Sequence, residues 1–383
     1  MSTTAKRESP MKTILVSLIS DQLYPNLVFI KDNRMVDNYL AITTTAMEQT
    51  GKYAWLKSAA GIEASNWLDP ILLDDPYNLT RILEQLQIAP QCKNDHLYIV
   101  NITGGTKPMS LAAYEFFKEL PSHIFYVPIN KNFYWKIFPK VNDKIVNITY
   151  KLSLSEYLTA YGFKIWESNF NTLVGDPSST NVFYEIFFAL SDDNFQVLNK
   201  LRQRLKSEQI SIEDISGLAD LLKKVQFRES SLGKLNRNEI RYVSGGWFEE
   251  WIYSYLKDFL NLDDCFIGNN ITISRKNRDG IDINNQFDIL FILDNTLYII
   301  ECKTEGVKKQ IDKNKLNVYL NKLQSFKNEF GLHVHSHIFT LGNFEKNTQD
   351  IASVLARAQH FKVSICDRTF LKNEKWPSEL AKT

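Results

Sequence analysis

Hydrophobic positions in this chain fall into short apolar runs separated by segments of helical period. In the amino-terminal half, Thr13-Ile14-Leu15-Val16-Ser17-Leu18-Ile19 has a buried-strand pattern and ends in Ser20-Asp21-Gln22. Tyr39 to Ile42 is a second such run, ending in Thr43-Thr44-Thr45. A third, His96 to Ile102, leads into Thr103-Gly104-Gly105-Thr106-Lys107-Pro108-Met109 and an apolar helix from Ser110 to Leu120, and Ile124 to Ile129 is a fourth. Strands alternating with helices at intervals of about 30 residues predict an α/β domain with a parallel sheet covered on both faces, whose ligands bind at the carboxyl ends of the strands.

The second half has a different rhythm. Tyr150 to about Gly175 is mixed and reads as linker and crossover. From Val182 the pattern turns helical, with Phe183, Ile186, Phe187 and Leu190 on one face, then Gln196 to Lys206 and Ile212 to Leu222. A helix follows the pair Gly245-Gly246, with Trp247, Trp251, Tyr255 and Phe259 at i, i+4 spacing. Phe287 to Leu293 and Leu297 to Lys303 are strands rich in β-branched and aromatic residues, and Asp294-Asn295 between them predicts a hairpin. Asn317 to Glu329 and Ile351 to Ala358 read as helices, Val334 to Thr340 and Phe361 to Cys366 as strands. The expected organisation is a domain over 11–150, a helical connector over 151–235 and a second α/β domain over 236–383.

The hairpin places charge where burial ordinarily forbids it. Glu301 and Lys303, two apart on one strand, share a face and can meet Asp288 across the ladder. Two carboxylates from neighbouring strands offer hard oxygen ligands to Mg2+ or Mn2+, with Lys303 able to orient a water or offset charge on a phosphoryl group. An ion triplet that merely neutralises itself is the plainer alternative. Glu249, in the first turn of its helix, is explained either by the helix dipole or as a third acid delivered to the same site. In the amino-terminal half, the Thr103 to Lys107 loop offers amides, hydroxyls and an ammonium at a helix start, which suits phosphate. It has neither Walker nor dinucleotide glycine spacing, and a tight strand-to-helix turn is its bland reading.

The order Phe248-Glu249 on a helix, then Asp288, then Glu301-Cys302-Lys303, resembles the PD-(D/E)xK nucleases, whose Pro before the Asp is replaced here by Phe287. The resemblance implies metal binding by Asp288 and Glu301, assistance to water by Lys303 and a supporting role for Glu249, on an α/β/α restriction-endonuclease-like fold. The strand-end loops Ser20-Asp21-Gln22 and Thr103-Gly104-Gly105-Thr106-Lys107 are similar to those of CARF domains, Rossmann-like sensors that bind cyclic oligoadenylate across a homodimer interface. Thr44 and Thr45 join them by strand-end position. The combination is similar to the stand-alone ancillary nucleases of type III CRISPR systems. It implies cyclic tetra-adenylate as activator and a nucleic acid substrate, single-stranded DNA or RNA, with nicking of duplex DNA.

Composition agrees without choosing. A net charge of +1 over 383 residues excludes a generally basic protein, so nucleic acid would need a local patch. Lys303 with Lys308, Lys309, Lys313 and Lys315 is one candidate, and Arg275, Lys276 and Arg278 are another. The connector supports a competing reading. Three short helices bearing Lys200, Arg202, Arg204, Lys206, Lys223 and Lys224 suggest a winged-helix module in a ligand-controlled transcription regulator. Cys92, Cys265, Cys302 and Cys366 are scattered, as in a reducing cytoplasm. His333, His335 and His337 alternate along a strand without a fourth ligand at useful spacing for zinc. With no secretory signal and no apolar stretch of membrane-spanning length, a cytoplasmic protein is expected.

Overall fold

The computed structural model describes residues 11–128, 131–140, 145–166, 173–175, 177–189, 192–276, 280–304, 313–331, 334–342, 349–373, 376 and 380. The polar first ten residues, the expected element ends Ile129 and Leu190, the candidate basic residues Arg278, Lys308 and Lys309, and His333 lie outside them. The chain divides into two compact units, Met1–Lys164 with Phe330–His333, and Ile165–Glu329 with Val334–Thr383. No helix among the described residues is long and apolar enough to cross a membrane.

The first unit is built on strands β1 (Lys12–Leu18), β2 (Asn38–Thr44), β3 (Ile71–Leu73), β4 (His96–Asn101), β5 (Ser122–Tyr126), β6 (Phe133–Phe138) and β7 (Ile145–Asn147). Their order in the sheet is β3-β2-β1-β4-β5-β6-β7, and the first five are parallel. The connecting helices are α1 (Tyr24–Asp32), α2 (Thr45–Gln49), α3 (Lys52–Ala60), α4 (Leu79–Ile88) and α5 (Lys107–Phe117). Ile14, Val16 and Leu18 of the central strand share one buried cluster with Tyr98, Val100, Ala112, Ala113 and Phe117. The two alanines let α5 lie close against the sheet, and Pro108 sits in its first turn, where a missing N–H costs nothing.

Two features depart from the expectation of a wholly parallel sheet and a connector starting at residue 151. Strands β6 and β7 return antiparallel, because the few residues between β5 and β6 are too short for a parallel crossover. Helix α6 (Leu154–Ala160) belongs to the first unit, with Leu154, Tyr157 and Leu158 buried. Its start is fixed by a capping box between Ser153 and Glu156, and Glu156 also holds Lys31 at 2.6 Å.

The second unit is built on a mixed six-stranded sheet. Its strands are β8 (Lys164–Ile165), β11 (Ile267–Lys276), β12 (Asp282–Leu293), β13 (Thr296–Lys303), β14 (Val334–Thr340) and β15 (Val363–Cys366). The order is β15-β14-β13-β12-β11-β8, with β11, β12 and β13 antiparallel and β13, β14 and β15 parallel. A separate two-stranded pair joins β9 (Gln209–Ser211) to β10 (Lys234–Asn236). The helices are α7 (Pro177–Ala189), α8 (Asp192–Arg202), α9 (Leu218–Lys224), α10 (Arg237–Arg241), α11 (Trp247–Phe259), α12 (Lys313–Phe330), α13 (Gln349–Phe361) and α14 (Arg368–Leu371). The helix expected over Ile212 to Leu222 is interrupted. Ile212–Asp214 forms a single 3-10 turn, and Gly217, at φ 85, starts α9 afresh.

The helix α11 forms because Trp247, Phe248, Trp251, Ile252 and Leu256 make one apolar face. That face shares a buried cluster with Ile289, Phe291, Tyr298 and Ile300 of the β12–β13 hairpin. The hairpin turn is Asp294-Asn295, at φ 47 and 60, the paired left-handed conformation that a two-residue loop requires and that Asp and Asn tolerate.

Candidate functional site

In the second unit the charged residues gather at the open end of this hairpin. The β12–β13 ladder runs from Leu293↔Thr296 to Ile289↔Ile300, and the next residues outward are Asp288 and Glu301. On the other side of β12 the pairing with β11 passes from Asn269↔Ile289 to Ile271↔Phe287, skipping Asn270 and Asp288. Asn270 takes φ 54, and its Oδ1 accepts from Arg241 Nη2 at 3.0 Å and from Gln286 Nε2. A local break in the ladder of this kind re-aims a side chain, and here it sits beside the first carboxylate.

Lys303 Nζ lies 2.9 Å from Asp288 Oδ2 and 2.9 Å from Glu301 Oε2. Asp288 Oδ2 also accepts the Cys302 backbone N–H at 2.7 Å. The Glu301 side chain is only 2% exposed, and Lys322 of α12 donates to its other oxygen, Oε1. The ring of Tyr319, also on α12, stands 4.8 Å from the Lys303 ammonium. The sequence pattern thus brings together Asp288, Glu301 and Lys303. It had no means of finding Lys322 and Tyr319, which sit on a separate helix outside any motif.

Electrostatics bind the group. Burial by itself would push the Lys303 pKa down, but the carboxylates of Asp288 and Glu301 outweigh it and hold the ammonium well above the usual lysine range. Glu249, partly buried in the first turn of α11, is raised to about 8 by burial first and then by Asp288, with Arg241 and Lys303 opposing and Glu301 adding. Its neighbour Glu250 points elsewhere, accepting the N–H groups of Val174 at 2.7 Å and Gly175 at 3.0 Å. Burial raises the Cys302 thiol far above its ordinary value, so it is no nucleophile.

The donor set suits a hard divalent cation. Asp288 and Glu301 are oxygen donors from adjacent strands, and the Asp288 charge that adds to the effect of burial on Glu249 is what such an ion would offset. Among the described residues no group of three or more His, Cys, Asp or Glu could hold a metal ion by itself. Mg2+ or Mn2+ would therefore rest on two carboxylates and keep waters, as Mg2+ ordinarily does. His335 and His337 both lie against the ring of Tyr298, with centroids 5.0 and 6.1 Å away, as packing residues. Of the candidate basic residues, Arg275 is paired with Glu329, while Lys315 is exposed on α12. Arg202 is also committed, donating to Ser244 O at 3.1 Å and to Thr304 Oγ1 at 2.7 Å.

The first unit has a cavity of about 420 Å³ at the carboxyl ends of its parallel strands. Ile19, Ser20 and Asp21 line it after β1, Thr44, Thr45, Ala46 and Met47 after β2, Leu73, Asp74, Pro76 and Tyr77 after β3, and Gly105, Thr106 and Met109 after β4. Thr106 caps α5, accepting from Met109 N at 3.3 Å, and donates to Pro76 O at 2.5 Å, so two walls are tied together. The remaining candidates stand behind the wall or beside it. Thr103 Oγ1 donates to Asn101 Oδ1 at 2.6 Å and accepts from Val127 N at 2.7 Å. A Cβ on Gly104 would lie 2.0 Å from the Leu18 carbonyl oxygen, and one on Gly331 would lie 2.3 Å from Gln22 Oε1. Lys107 is exposed in the first turn of α5. Two buried asparagines missed in the sequence reading join the strand ends. Asn101 Nδ2 donates to Asn26 Oδ1 at 3.1 Å, and Asn26 Nδ2 to Leu18 O at 2.7 Å.

Residues 14–157 match the family described as the Card1 CARF domain, and residues 236–374 match the Card1-like endonuclease domain. No curated protein matches the chain. Among solved structures, protein VC1899 from Vibrio cholerae has a TM-score of 0.75 at 18% identity, covering 97% of both chains. Can2 from Sulfobacillus thermosulfidooxidans, in complex with cyclic tetra-adenylate, gives 0.71 at 22% identity, again covering 97% of both. A type III CRISPR defence DNA nuclease activated by cyclic oligoadenylate gives 0.55 at 14%, covering 93% of this chain and 53% of its own. At such identities these structures share the fold, and the two domain matches carry the assignment. The chain belongs to the family that joins a CARF domain to a Card1-like, PD-(D/E)xK-type endonuclease domain.

Proposed function

We propose that the protein is a divalent-metal-dependent nuclease of type III CRISPR antiviral defence. In this reading it works in the cytoplasm as a homodimer and is switched on by cyclic oligoadenylate, with cyclic tetra-adenylate the preferred ring. Its substrate is single-stranded DNA or RNA, with nicking of duplex DNA. The observation that carries the reading is one ammonium, Lys303, at 2.9 Å from carboxylates on two adjacent strands, inside a Card1-like endonuclease domain.

In this reading Asp288 and Glu301 hold Mg2+ or Mn2+, which when bound supplies an acidified water and neutralises phosphoryl charge. Lys303 orients the water oxygen and balances negative charge that grows on the phosphoryl group. Glu249 supports the two carboxylates from the helix side. In the sensor unit, the hydroxyls of Thr44 and Thr45 and the Lys107 backbone N–H at the start of α5 offer donors to the phosphates of a cyclic oligonucleotide, with Ser20, Asp21, Gln22, Thr103, Gly104, Gly105, Thr106 and the Lys107 side chain shaping the loops around them. The complex of Can2 with cyclic tetra-adenylate supports that ligand. Its differential affinity for one arrangement of the dimer would set activity.

The test is cleavage of labelled single-stranded DNA, single-stranded RNA and supercoiled plasmid with Mg2+ or Mn2+, with and without cyclic tetra-adenylate. Cleavage that needs both metal and activator supports the reading and names the substrate. Absence of cleavage, together with duplex binding that changes on adding activator, would replace it with the transcription-regulator alternative.

A further inference from the structure

The charged cluster contains a second ammonium that the nuclease reading leaves without a task. Tyr319 and Lys322 stand three residues apart on α12, hence on one face of it. Lys322 donates to Glu301 Oε1 and, at 3.0 Å, to the Gln286 carbonyl, with the Phe287 ring 5.4 Å away. Glu301 therefore has an ammonium on each oxygen, Lys303 on Oε2 and Lys322 on Oε1. The two are not equivalent. Lys303 is 19% exposed and locked between two carboxylates, whereas Lys322 is 34% exposed and faces one.

We propose that Lys322 is a substrate ligand of the catalytic site, binding a non-bridging oxygen of the scissile phosphodiester. This rests on the nuclease reading above and extends it to a residue outside the motif. Asp288 and Glu301 against Lys303 and Lys322 sum to zero formal charge, and Glu249 with the Arg241 guanidinium that opposes it adds none. A divalent cation on the carboxylates leaves a surplus of two positive charges, which matches the two negative charges of a phosphorane. With Lys303 alone the surplus would be one, enough for the resting phosphodiester but one short of the transition state. An ion on Glu301 competes for the oxygen that Lys322 holds. The ammonium, with one N–H on the Gln286 carbonyl, then has two donors to offer from a flexible four-carbon stem at the exposed side of the site. Lys315, exposed on α12 four residues before Tyr319 and seven before Lys322, lies on the same side of the helix, where a nucleic acid backbone leaving the site would meet it.

The experiment is equilibrium binding of a labelled single-stranded oligonucleotide, DNA and RNA in turn, to full-length protein with Ca2+ and saturating cyclic tetra-adenylate across a range of KCl concentrations. Lys322→Gln keeps a donor for Glu301 but removes the charge, and Lys322→Met removes both. Each variant is expected to raise Kd about tenfold or more and to lower the salt slope by about one, while Lys322→Arg stays near wild type. If Lys322→Gln binds with the wild-type affinity and salt slope, Lys322 is only the counter-ion of Glu301 and the proposal fails. If wild type itself neither binds nor cuts any oligonucleotide, the nuclease reading fails with it.

Discussion

His337 gives the second unit a built-in weakness to acid that can be measured without reference to activity. It lies in β14, is 2% exposed, and neither ring nitrogen has a hydrogen-bond partner among the described residues. Its neighbours are the rings of Tyr298 and Phe339, at 6.1 and 6.3 Å. Burial first, then His335 and Lys327, lower its pKa from 6.5 to about 3. The unfolded chain therefore takes up a proton near pH 6.5 that the folded chain refuses. The stability tied to this residue is intact above about 6.5 and is lost as pH falls from there through about 3, by up to about 1.4 kcal/mol per pH unit. Between about pH 8 and about pH 5 the loss is about 2 kcal/mol. His337→Leu, close in volume and apolar, removes the proton linkage and also the cost of unpaired buried nitrogens, about 1–3 kcal/mol. Urea unfolding followed by tryptophan fluorescence at constant salt should show the variant more stable by that amount near pH 8, with the advantage growing by about 2 kcal/mol near pH 5. An advantage that does not change with pH would refute the reasoning, since it would mean that the folded protein accepts the protonated ring.

Further expectations concern the two sites. Glu301→Ala and Lys303→Ala should each lower cleavage by at least about 100-fold while calorimetric titration shows unchanged binding of cyclic tetra-adenylate. Chelation of divalent metal should abolish cleavage by wild type and leave activator binding intact, as read by gel assay and titration on the same sample. Gly104→Ala puts a methyl group 2.0 Å from the Leu18 carbonyl oxygen, so the loop must move, and loss of activator binding by titration, with loss of activator-dependent cleavage, is the expected result. Arg202→Ala strips the Thr304 carbonyl and hydroxyl and the Ser244 carbonyl of a charged donor, which should cost about 1.5–3 kcal/mol in urea unfolding.

The legible parts of this protein were those in which local chemistry and global position agree. The Asp294-Asn295 turn fixed the hairpin register from sequence, and with it the meeting of Asp288, Glu301 and Lys303. Strands β1, β2, β4 and β5 of the first unit were legible because each contains a continuous apolar run. Strand β3, with three residues, and β7, also with three, are too short to show a period. Helix α6 was hidden because its capping box, Ser153 to Glu156, lies in a stretch whose apolar residues look sparse until Tyr157 and Leu158 are seen buried. Lys322 was out of reach in principle. It meets Glu301 across 21 residues of chain, through the packing of α12, and no spacing rule spans such a gap. Asn270 is similar, since a left-handed asparagine inside a strand leaves no mark on hydrophobic periodicity.

The two-residue turn also has a kinetic consequence. Asp288 and Lys303 are only fifteen positions apart and their strands are joined by the tightest of connections. Hairpins close in microseconds, whereas pairing of β13 with β14 must wait for the whole of α12 to be made and placed. On a ribosome, the carboxylate pair and its lysine can meet while the chain beyond them is still emerging. Tyr319 and Lys322 arrive later, with the helix. The order of assembly thus leaves a nascent chain holding the two carboxylates and Lys303 before it holds Lys322, so the complete charged cluster waits for the last, non-local steps of folding.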